Sequence, residues 1–234
     1  MRILVIILLL VSCQTKAQVG CTDSQANNFD ENAAINDGSC TYVNATIVPI
    51  ATTSLPSVME ETSGLLIYND RLLTHNDDTD TNLYLFDFQN PQNYTVLPIP
   101  HVSNHDWEDI AEDDNYIYIG DFGNNVSGNR SNLRIFRVLK SSLETGPIVD
   151  TILFTYENQT DFTPLANNTT NFDCEAFIVR GGKIHLFTKE WTSGSTTHYE
   201  LASTPGTHVA VLKETLAVQG LITGATSLDD KQLV

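Results

Sequence analysis

Short apolar runs, each broken by a polar turn, follow one another along most of the chain. Ser63 to Tyr68 leads through Asn69-Asp70 into Arg71 to His75, and both runs are rich in residues that favour β-strands. No convincing helical periodicity follows the first residues of the chain. The pattern therefore predicts an all-β protein.

This pair of runs is the first of four similar pairs. Its counterparts begin at Glu108, Glu175 and Thr223, and each of the first three pairs is followed by two more β-rich runs. A recurring unit of four short strands predicts a blade of a β-propeller, with a β-sandwich as the alternative fold. Residues 44–234 would then form a partial propeller of about three blades and half of a fourth. The sequence is thus expected to be a fragment, with Thr46 to Ile50 as a candidate outer strand.

The first residues carry an export signal. Arg2 precedes an apolar run, Ile3 to Val11, that is too short to span a bilayer, so residues 1–18 are predicted to be a signal peptide. Thr15-Lys16-Ala17 offers an ordinary cleavage site, which is favoured over the lipobox-like Leu10 to Cys13 and a lipid anchor at Cys13. The protein is therefore expected to be secreted or to lie on the outer cell surface, with no membrane span.

The charge balance narrows the choice of partners. The chain has 29 acidic and 12 basic residues and a formal net charge of −17. Such a charge repels phosphate backbones and anionic lipid headgroups, so nucleic acid and membrane surfaces are poor partners. Cations and cationic or neutral ligands fit better.

Export to an oxidising compartment makes the cysteines informative. Cys21 and Cys40 bracket a short polar segment that cannot build a core alone, and a disulfide between them is predicted. Cys174 is then unpaired, and burial as a small apolar side chain is favoured over a catalytic thiol. Residues 19–43 are thus expected to form a small disulfide-stapled module.

This module also concentrates side-chain oxygens of the kind that Ca²⁺ binds. The spacing matches no EF-hand, and turn-forming residues on a solvated surface are favoured over a calcium site. The residues concerned are Asp23, Asn27, Asp30, Asn36 and Asp37.

The segment from Gly20 to Tyr42, GCTDSQANNFDENAAINDGSCTY, resembles a short repeat of secreted proteins from Bacteroidota. The resemblance implies a surface or secreted protein of that phylum, often one exported by the type IX system.

Polar side chains recur where the paired strands begin and end. A tight turn joins each pair, so the start of the first strand lies beside the end of the second, on the face that also carries the long loops. The acids at the strand starts and at one strand end are predicted metal ligands: Glu61, Asp106, Glu108, Asp121, Asp173 and Glu175. Other residues of this face are predicted to bind a ligand: His75, Asn76, Asp77, Asn124, Asn125, Arg130 and Lys189.

Carboxylates and amides without clustered histidine or cysteine suit Ca²⁺ or Mg²⁺ better than zinc, and Ca²⁺ is the cofactor predicted. The alternative is that these polar groups cap strands and satisfy the backbone. Arg130 and Lys189 would hold an anion or form salt bridges. Trp107 and Trp191 would pack in the core, which is favoured, or stack on a ligand.

A second resemblance lies in Asp106 to Ala111, read with Gly120 to Asn125 and Arg134 to Val138. The combined pattern, DWEDIA followed by GDFGNN and a later Arg, resembles an uncharacterised family of secreted bacterial β-propellers. More distantly, the acids at the strand starts are similar to those of phytase-like and lactonase-like six-bladed propellers, where such acids bind divalent metal.

Three functions follow as expectations. The first is a secreted or cell-surface propeller that binds a small molecule, glycan or protein at an acidic channel mouth, with a divalent cation. The second is a metal-dependent hydrolase of phosphoesters or lactones, for which no catalytic residue is assigned. The third is an adhesion or scaffold protein. No nucleophile elbow, P-loop or dinucleotide fingerprint is present in the sequence.

Overall fold

A computed structural model describes residues 17–44, 46, 48–78, 80–228 and 232–233. It divides the chain into two compact units, Met1–Thr46 and Ile47–Val234. The predicted signal peptide up to residue 16, including Cys13, lies outside the described residues. Among the residues described, no helix is long and apolar enough to cross a membrane.

The first unit is held together by a disulfide and by turns. Strands β1 (Val19–Gly20) and β2 (Ile35–Asn36) pair in parallel, and a disulfide joins Cys21 to Cys40 as predicted. The side chains of four Asp and Asn residues each accept the backbone N–H two residues further on, which is the Asx turn favoured by the sequence analysis. These residues are Asp23, Asp30, Asn36 and Asp37. Asn27 contributes its backbone N–H to Thr41 O.

The second unit contains three successive sets of four antiparallel strands. Set I comprises β3 (Thr62–Tyr68), β4 (Arg71–Asn76), β5 (Asn82–Asp87) and β6 (Asn90–Pro98). Set II comprises β7 (Trp107–Glu112), β8 (Tyr116–Asp121), β9 (Arg134–Leu139) and β10 (Val149–Tyr156). Set III comprises β11 (Asp173–Arg180), β12 (Lys183–Lys189), β13 (Thr196–Ala202) and β14 (Gly206–Leu216).

Smaller elements complete the second unit. Short 3-10 helices cover Ser57–Met59 and Lys140–Ser142. The fourth predicted pair is an antiparallel hairpin of β15 (Ser227–Leu228) and β16 (Gln232–Leu233), which begins later than Thr223. The described residues of the candidate outer strand at 46–50 are not in a strand.

The all-β prediction is confirmed, and the strands of each set lie where the repeat places them. Set I forms a sheet of its own, whereas sets II and III join into one eight-stranded sheet through parallel pairing of β10 with β14. The cause is the length of β14: its first half, from Gly206, pairs with β10, and its second half, up to Leu216, pairs with β13. Sets II and III are therefore not separate sheets, as independent blades would be.

The first strands of the three sets lie side by side, because β7 packs against both β3 and β11. Between sets I and II the core contains Leu73, Trp107 and Phe136, and between sets II and III it contains Phe122 and Phe177. Trp107 is fully buried there, in agreement with the core interpretation. Cys174 is also buried, and this burial raises the pKa of its thiol far above the ordinary range. This packing brings the ends of the strand pairs together.

Candidate functional site

Five carboxylates converge where the first strands begin. Their oxygens form two groups that share Glu108, and within each group the oxygens lie within 4.8 Å of one another. One group is Asp77, Asp106 and Glu108, and the other is Glu108, Asp173 and Glu175. We call these five residues the carboxylate cluster. Of the predicted site residues, the structure brings together Asp77, Asp106, Glu108, Asp173, Glu175 and the neighbouring Lys189.

Two β-bulges set the positions of the glutamates. In β7 the residues on either side of Glu108 pair with Asp121 and Gly120, so Glu108 is the extra residue of the bulge. In β11 Glu175 is extra in the same way, between Cys174 and Ala176. A bulge bends its strand and redirects the side chain it carries. The repeated acid at this position is thus matched by a repeated backbone irregularity.

The corresponding bulge of set I carries glycine in place of an acid. The register of β3 shifts between Ser63 and Leu66, and Gly64 has a φ of +60°. A Cβ at Gly64 would lie 2.7 Å from the backbone nitrogen of Ile110, so only glycine allows β3 to approach β7 this closely. Set I instead contributes Asp77, which follows β4.

Polar contacts tie the bulged strands together. Ser63 Oγ donates to Glu108 O at 2.6 Å, which links β3 to β7. Asp109 Oδ2 accepts from Phe177 N at 3.0 Å, which links β7 to β11, while its Oδ1 accepts from Ile110 N at 2.8 Å. This role of Asp109 was not predicted from the sequence. Its signal was an acid inside an apolar strand, a position that requires buried N–H partners.

The backbone of Gly123 lies directly against two carboxylates of the cluster. A Cβ at this position would lie 2.3 Å from Asp106 Oδ2 and 2.3 Å from Glu108 Oε1. The two carboxylates therefore lie directly over the loop backbone after β8. A methyl group at this position would displace both carboxylates.

Burial and mutual repulsion disfavour ionisation throughout the cluster. Burial, then the charge of Asp77, raises the pKa of Asp106 to about 7. Burial, then the charges of Glu175 and Asp106, raises the pKa of Glu108 to about 10. Burial is also the main cause of the raised pKa of Asp77, Asp173 and Glu175. A bound cation would remove this cost by compensating the charge.

The cluster is only partly satisfied by its own partners. Asp173 accepts from Asn124 N at 2.7 Å and from Trp191 Nε1 at 2.8 Å. Glu175 pairs with Lys189 Nζ at 2.6 Å, and the same ammonium lies 4.4 Å from the centre of the Trp191 ring. Asp77 Oδ1, in contrast, is buried without a hydrogen-bond partner among the described residues. One oxygen of the cluster thus lacks the interaction that burial normally requires.

Asp121 and Arg130 lie beside the cluster but interact with each other. Asp121 is fully buried and forms ion pairs with Arg130 at 2.8 Å and Arg134 at 2.7 Å. Arg130 also donates to Gly123 O at 2.7 Å. Asp121 is therefore not in the carboxylate cluster, and Arg130 holds the loop below it.

The remaining predicted residues serve the scaffold. His75 is buried against the edge of Trp107, and burial lowers its pKa to about 4. Asn76 donates to Val58 O. Asn124 donates its side-chain amide to Phe172 O, and Asn125 accepts from Asn168 N through its carbonyl oxygen. Glu61 is exposed and accepts from Asp77 N through its backbone.

No protein-family model matches the sequence, and no curated protein matches it significantly. The function therefore has to be inferred from the carboxylate cluster itself.

Proposed function

We propose that the carboxylate cluster binds a divalent cation, Ca²⁺, and that the protein is a ligand-binding protein whose ligand meets this cation. The observation that carries the proposal is the convergence of five buried or half-buried carboxylates beside the ammonium group of Lys189. Carboxylates that are buried without compensating charge are costly, and a divalent cation removes that cost.

The number of carboxylates supports Ca²⁺ over Mg²⁺, because Ca²⁺ takes about 6–8 oxygen ligands, whereas Mg²⁺ is usually held by one or two carboxylates and several waters. Ca²⁺ takes oxygen ligands at about 2.3–2.6 Å in flexible arrangements, so oxygens up to about twice that distance apart can share one ion. The oxygens of each group lie within 4.8 Å of one another and are therefore close enough to share one ion. Mg²⁺ requires a tighter octahedron with ligands at about 2.0–2.1 Å. Both groups also consist of carboxylates rather than the sulfur and imidazole ligands that would favour zinc.

The surrounding architecture supports a binding mouth. We infer that sets I to III are blades of a β-propeller of the secreted bacterial family that the DWEDIA segment resembles. Support comes from the four-stranded sets and from their first strands, which lie side by side. In such a fold the cluster lies at one end of the strands around the axis. A secreted or surface location in Bacteroidota remains part of this proposal.

A binding role is better supported than a hydrolase of phosphoesters or lactones. That reaction would need a basic group to hold an anionic substrate beside the cation. Arg130 is bound to Asp121 and to the loop carbonyl of Gly123, and Lys189 is bound to Glu175. Both candidate basic groups are thus already used by the protein.

The test is a Ca²⁺ titration of the full chain, stripped of divalent ions, with thermal stability as the readout. At Ca²⁺ concentrations about 100 times Kd, the midpoint should rise by roughly 5–10 °C. Glu108→Gln should abolish the shift, because Glu108 belongs to both groups. Glu175→Gln should weaken it. Glu144→Gln, which removes an exposed carboxylate elsewhere, is the matched control and should shift like wild type.

An equal shift in wild type and Glu108→Gln would place the cation elsewhere and refute the proposal. No shift in any variant would favour the adhesion or scaffold role. Turnover of a phosphoester or lactone that depends on Ca²⁺ and is lost in Glu108→Gln would instead establish the hydrolase.

A further inference from the structure

The two groups of the carboxylate cluster differ in the positive charge that the protein itself places beside them. Lys189 Nζ lies 2.6 Å from Glu175 Oε1, and the two side chains are only 13% and 11% exposed. Lys189 is also the strand neighbour of Asp173 across β11 and β12. Its ammonium group therefore lies beside the group formed by Glu108, Asp173 and Glu175.

The surroundings of Lys189 hold it in this position. Its Nζ lies 4.4 Å from the centre of the Trp191 ring, where cation–π attraction adds to the ion pair. Trp191 is fixed in turn, because its Nε1 donates to Asp173 Oδ2 at 2.8 Å. Asp173 Oδ1 accepts from Asn124 N at 2.7 Å. The acids of set III thus already have charged or polar partners.

The corresponding position in set II carries an apolar side chain. Counted from the bulge, the residue of β12 that lies opposite Asp173 is Lys189, and the equivalent residue after β8 is Phe122. Phe122 is fully buried in the core between sets II and III. Within the part of the chain that the structure describes, neither Asp106 nor Glu108 forms an ion pair. The acids of set II therefore lack the ammonium group that the acids of set III have.

The group formed by Asp77, Asp106 and Glu108 is also the one with an unsatisfied oxygen. Asp77 Oδ1 is buried and accepts no hydrogen bond from the residues described. Asp106 Oδ2 and Glu108 Oε1 converge over the backbone of Gly123. Arg130 donates to Gly123 O and to a carboxylate outside the cluster. The uncompensated negative charge is thus concentrated in this group.

We infer that Lys189 occupies one of two cation positions in the carboxylate cluster, so that the protein binds a single Ca²⁺, at Asp77, Asp106 and Glu108. This role rests on the proposed function. The ammonium nitrogen lies as far from Glu175 Oε1 as a Ca²⁺ ion would, since Ca²⁺ takes oxygen ligands at about 2.3–2.6 Å. A neutral side chain in place of Lys189 would leave Glu108, Asp173 and Glu175 open to a second ion. Lys189 thus determines how many cations the cluster binds.

Lys189 also limits the chemistry open to the site. Centres that hydrolyse phosphoesters with two metal ions hold those ions about 3.5–4 Å apart. An ammonium group in the second position excludes such a pair. Wild type is therefore expected to bind one ion even at high Ca²⁺ concentration.

The test is the stoichiometry of Ca²⁺ binding, measured by calorimetry on the full chain after treatment with a chelator. Wild type and Lys189→Arg should bind one equivalent, because both keep a positive charge beside Glu175. Lys189→Met has a stem of similar length without the charge and should bind two equivalents. Lys183→Met is the matched control: it removes a lysine from a more exposed pair with Glu200 and should bind one equivalent.

A double variant keeps the test decisive if Lys189→Met does not fold, since that substitution leaves Glu175 buried without its counter-charge. Lys189→Met combined with Glu175→Gln removes both charges. It should bind one ion with an affinity within about threefold of wild type, because neither group touches that ion. Glu175→Gln alone leaves an unpaired ammonium group beside the ion and should weaken Ca²⁺ binding more than the double variant does.

Two equivalents in Lys189→Met, or one equivalent at unchanged affinity in the double variant, would support the role of Lys189. One equivalent in a Lys189→Met protein that thermal unfolding shows to be folded would overturn it and leave the proposed function intact. Two equivalents in wild type would overturn it as well. Loss of Ca²⁺ binding in the double variant would do the same, by making Glu175 a ligand of the single ion. Absence of Ca²⁺ binding in every protein would refute the proposed function and this role together.

Discussion

Acidic side chains are used in opposite ways in the two units of this chain. In the first unit Asp37 is exposed and Asp23 and Asp30 are partly exposed, and each accepts a backbone N–H two residues further on. Hydrogen bonds lower the pKa of all three, chiefly those from Tyr42, Asn32 and Ser39 respectively. In the second unit Asp106 and Glu108 are half-buried among other carboxylates, and burial raises their pKa. Burial decides which behaviour results, since Asp173 accepts two N–H groups in the second unit and burial still raises its pKa.

The two behaviours have opposite pH signatures. A carboxylate whose pKa is lowered in the folded state stabilises the fold above its unfolded pKa, and that contribution is lost as the pH falls. A carboxyl whose pKa is raised contributes fully below its unfolded pKa and loses that contribution as the pH rises through the folded value. Acid should therefore weaken the turns of the first unit, and base should weaken the metal-free cluster.

The largest expected effect on stability comes from substituting Asp121. This acid lies next to the cluster and is paired with two arginines. Asp121→Asn leaves Arg130 and Arg134 without their buried counter-charge and should cost about 3 kcal/mol of stability in urea unfolding. The Ca²⁺ shift should persist. Asp150→Asn is the matched control. The Asp150 side chain, which pairs with Arg137, is 42% exposed, so its removal should reduce stability far less.

If Asp121→Asn abolished the Ca²⁺ shift at unchanged stability, the cation would lie at Asp121, which was predicted from the sequence to be a metal ligand. The distinction between partnered and unpartnered acids would then fail.

Gly123→Ala should have the next largest effect. The new methyl group would overlap Asp106 Oδ2 and Glu108 Oε1 at 2.3 Å, so the carboxylates must move apart. Overpacking of this kind costs about 1–3 kcal/mol, and the Ca²⁺ shift should fall sharply. Gly224→Ala is the control, since nothing lies within 4 Å of a Cβ there. A Gly123→Ala protein with a normal Ca²⁺ response would show that the cation does not touch these two oxygens.

Thermal stability without divalent ions should fall as the pH rises from 5 to 8. Asp106 has a pKa of about 7 in the fold against 3.8 ordinarily, and Glu108 has about 10 against 4.5. The window of declining stability thus opens near pH 4 and extends past pH 7, with a fall on the order of 5 °C across the measured range. Saturating Ca²⁺ should flatten the curve, and Glu108→Gln should make it shallower without Ca²⁺, because Asp106 still titrates. A curve that rises with pH in wild type would contradict buried, uncompensated carboxylates.

Much of the strand order could be predicted from the sequence, because alternating apolar runs and tight turns are local signals. The repeat placed β3 with β4, β7 with β8, and β11 with β12 correctly. The pairing of β10 with β14 could not be predicted from the sequence. It depends on the first half of β14, which extends beyond β13 and pairs with a strand of another set. Such long-range pairing leaves no periodicity in either segment.

For the site, the recurrence of acids at equivalent positions was sufficient to identify Asp106, Glu108, Asp173 and Glu175 as candidates. Asp121 fits the same pattern yet pairs with two arginines, one of them more than ten residues ahead along the chain. The bulges that position Glu108 and Glu175 have no residue signature of their own, because they depend on how two strands pair. The recurrence of acids in the sequence thus identifies candidate ligands, but only the packing shows which of them lack a basic partner.

The smallest expected effect isolates the role of charge. Asp30→Asn removes a charge but keeps an Oδ1 that can accept from Asn32 N, so the turn and the thermal midpoint near pH 7 should be almost unchanged. The Ca²⁺ shift should also match wild type, whereas the equivalent change Glu108→Gln in the cluster should remove it. Differential scanning of both variants with and without Ca²⁺ makes the comparison direct. A reduced shift in Asp30→Asn would mean that the first unit binds the cation, and the carboxyls there would then be ligands as well as turn formers.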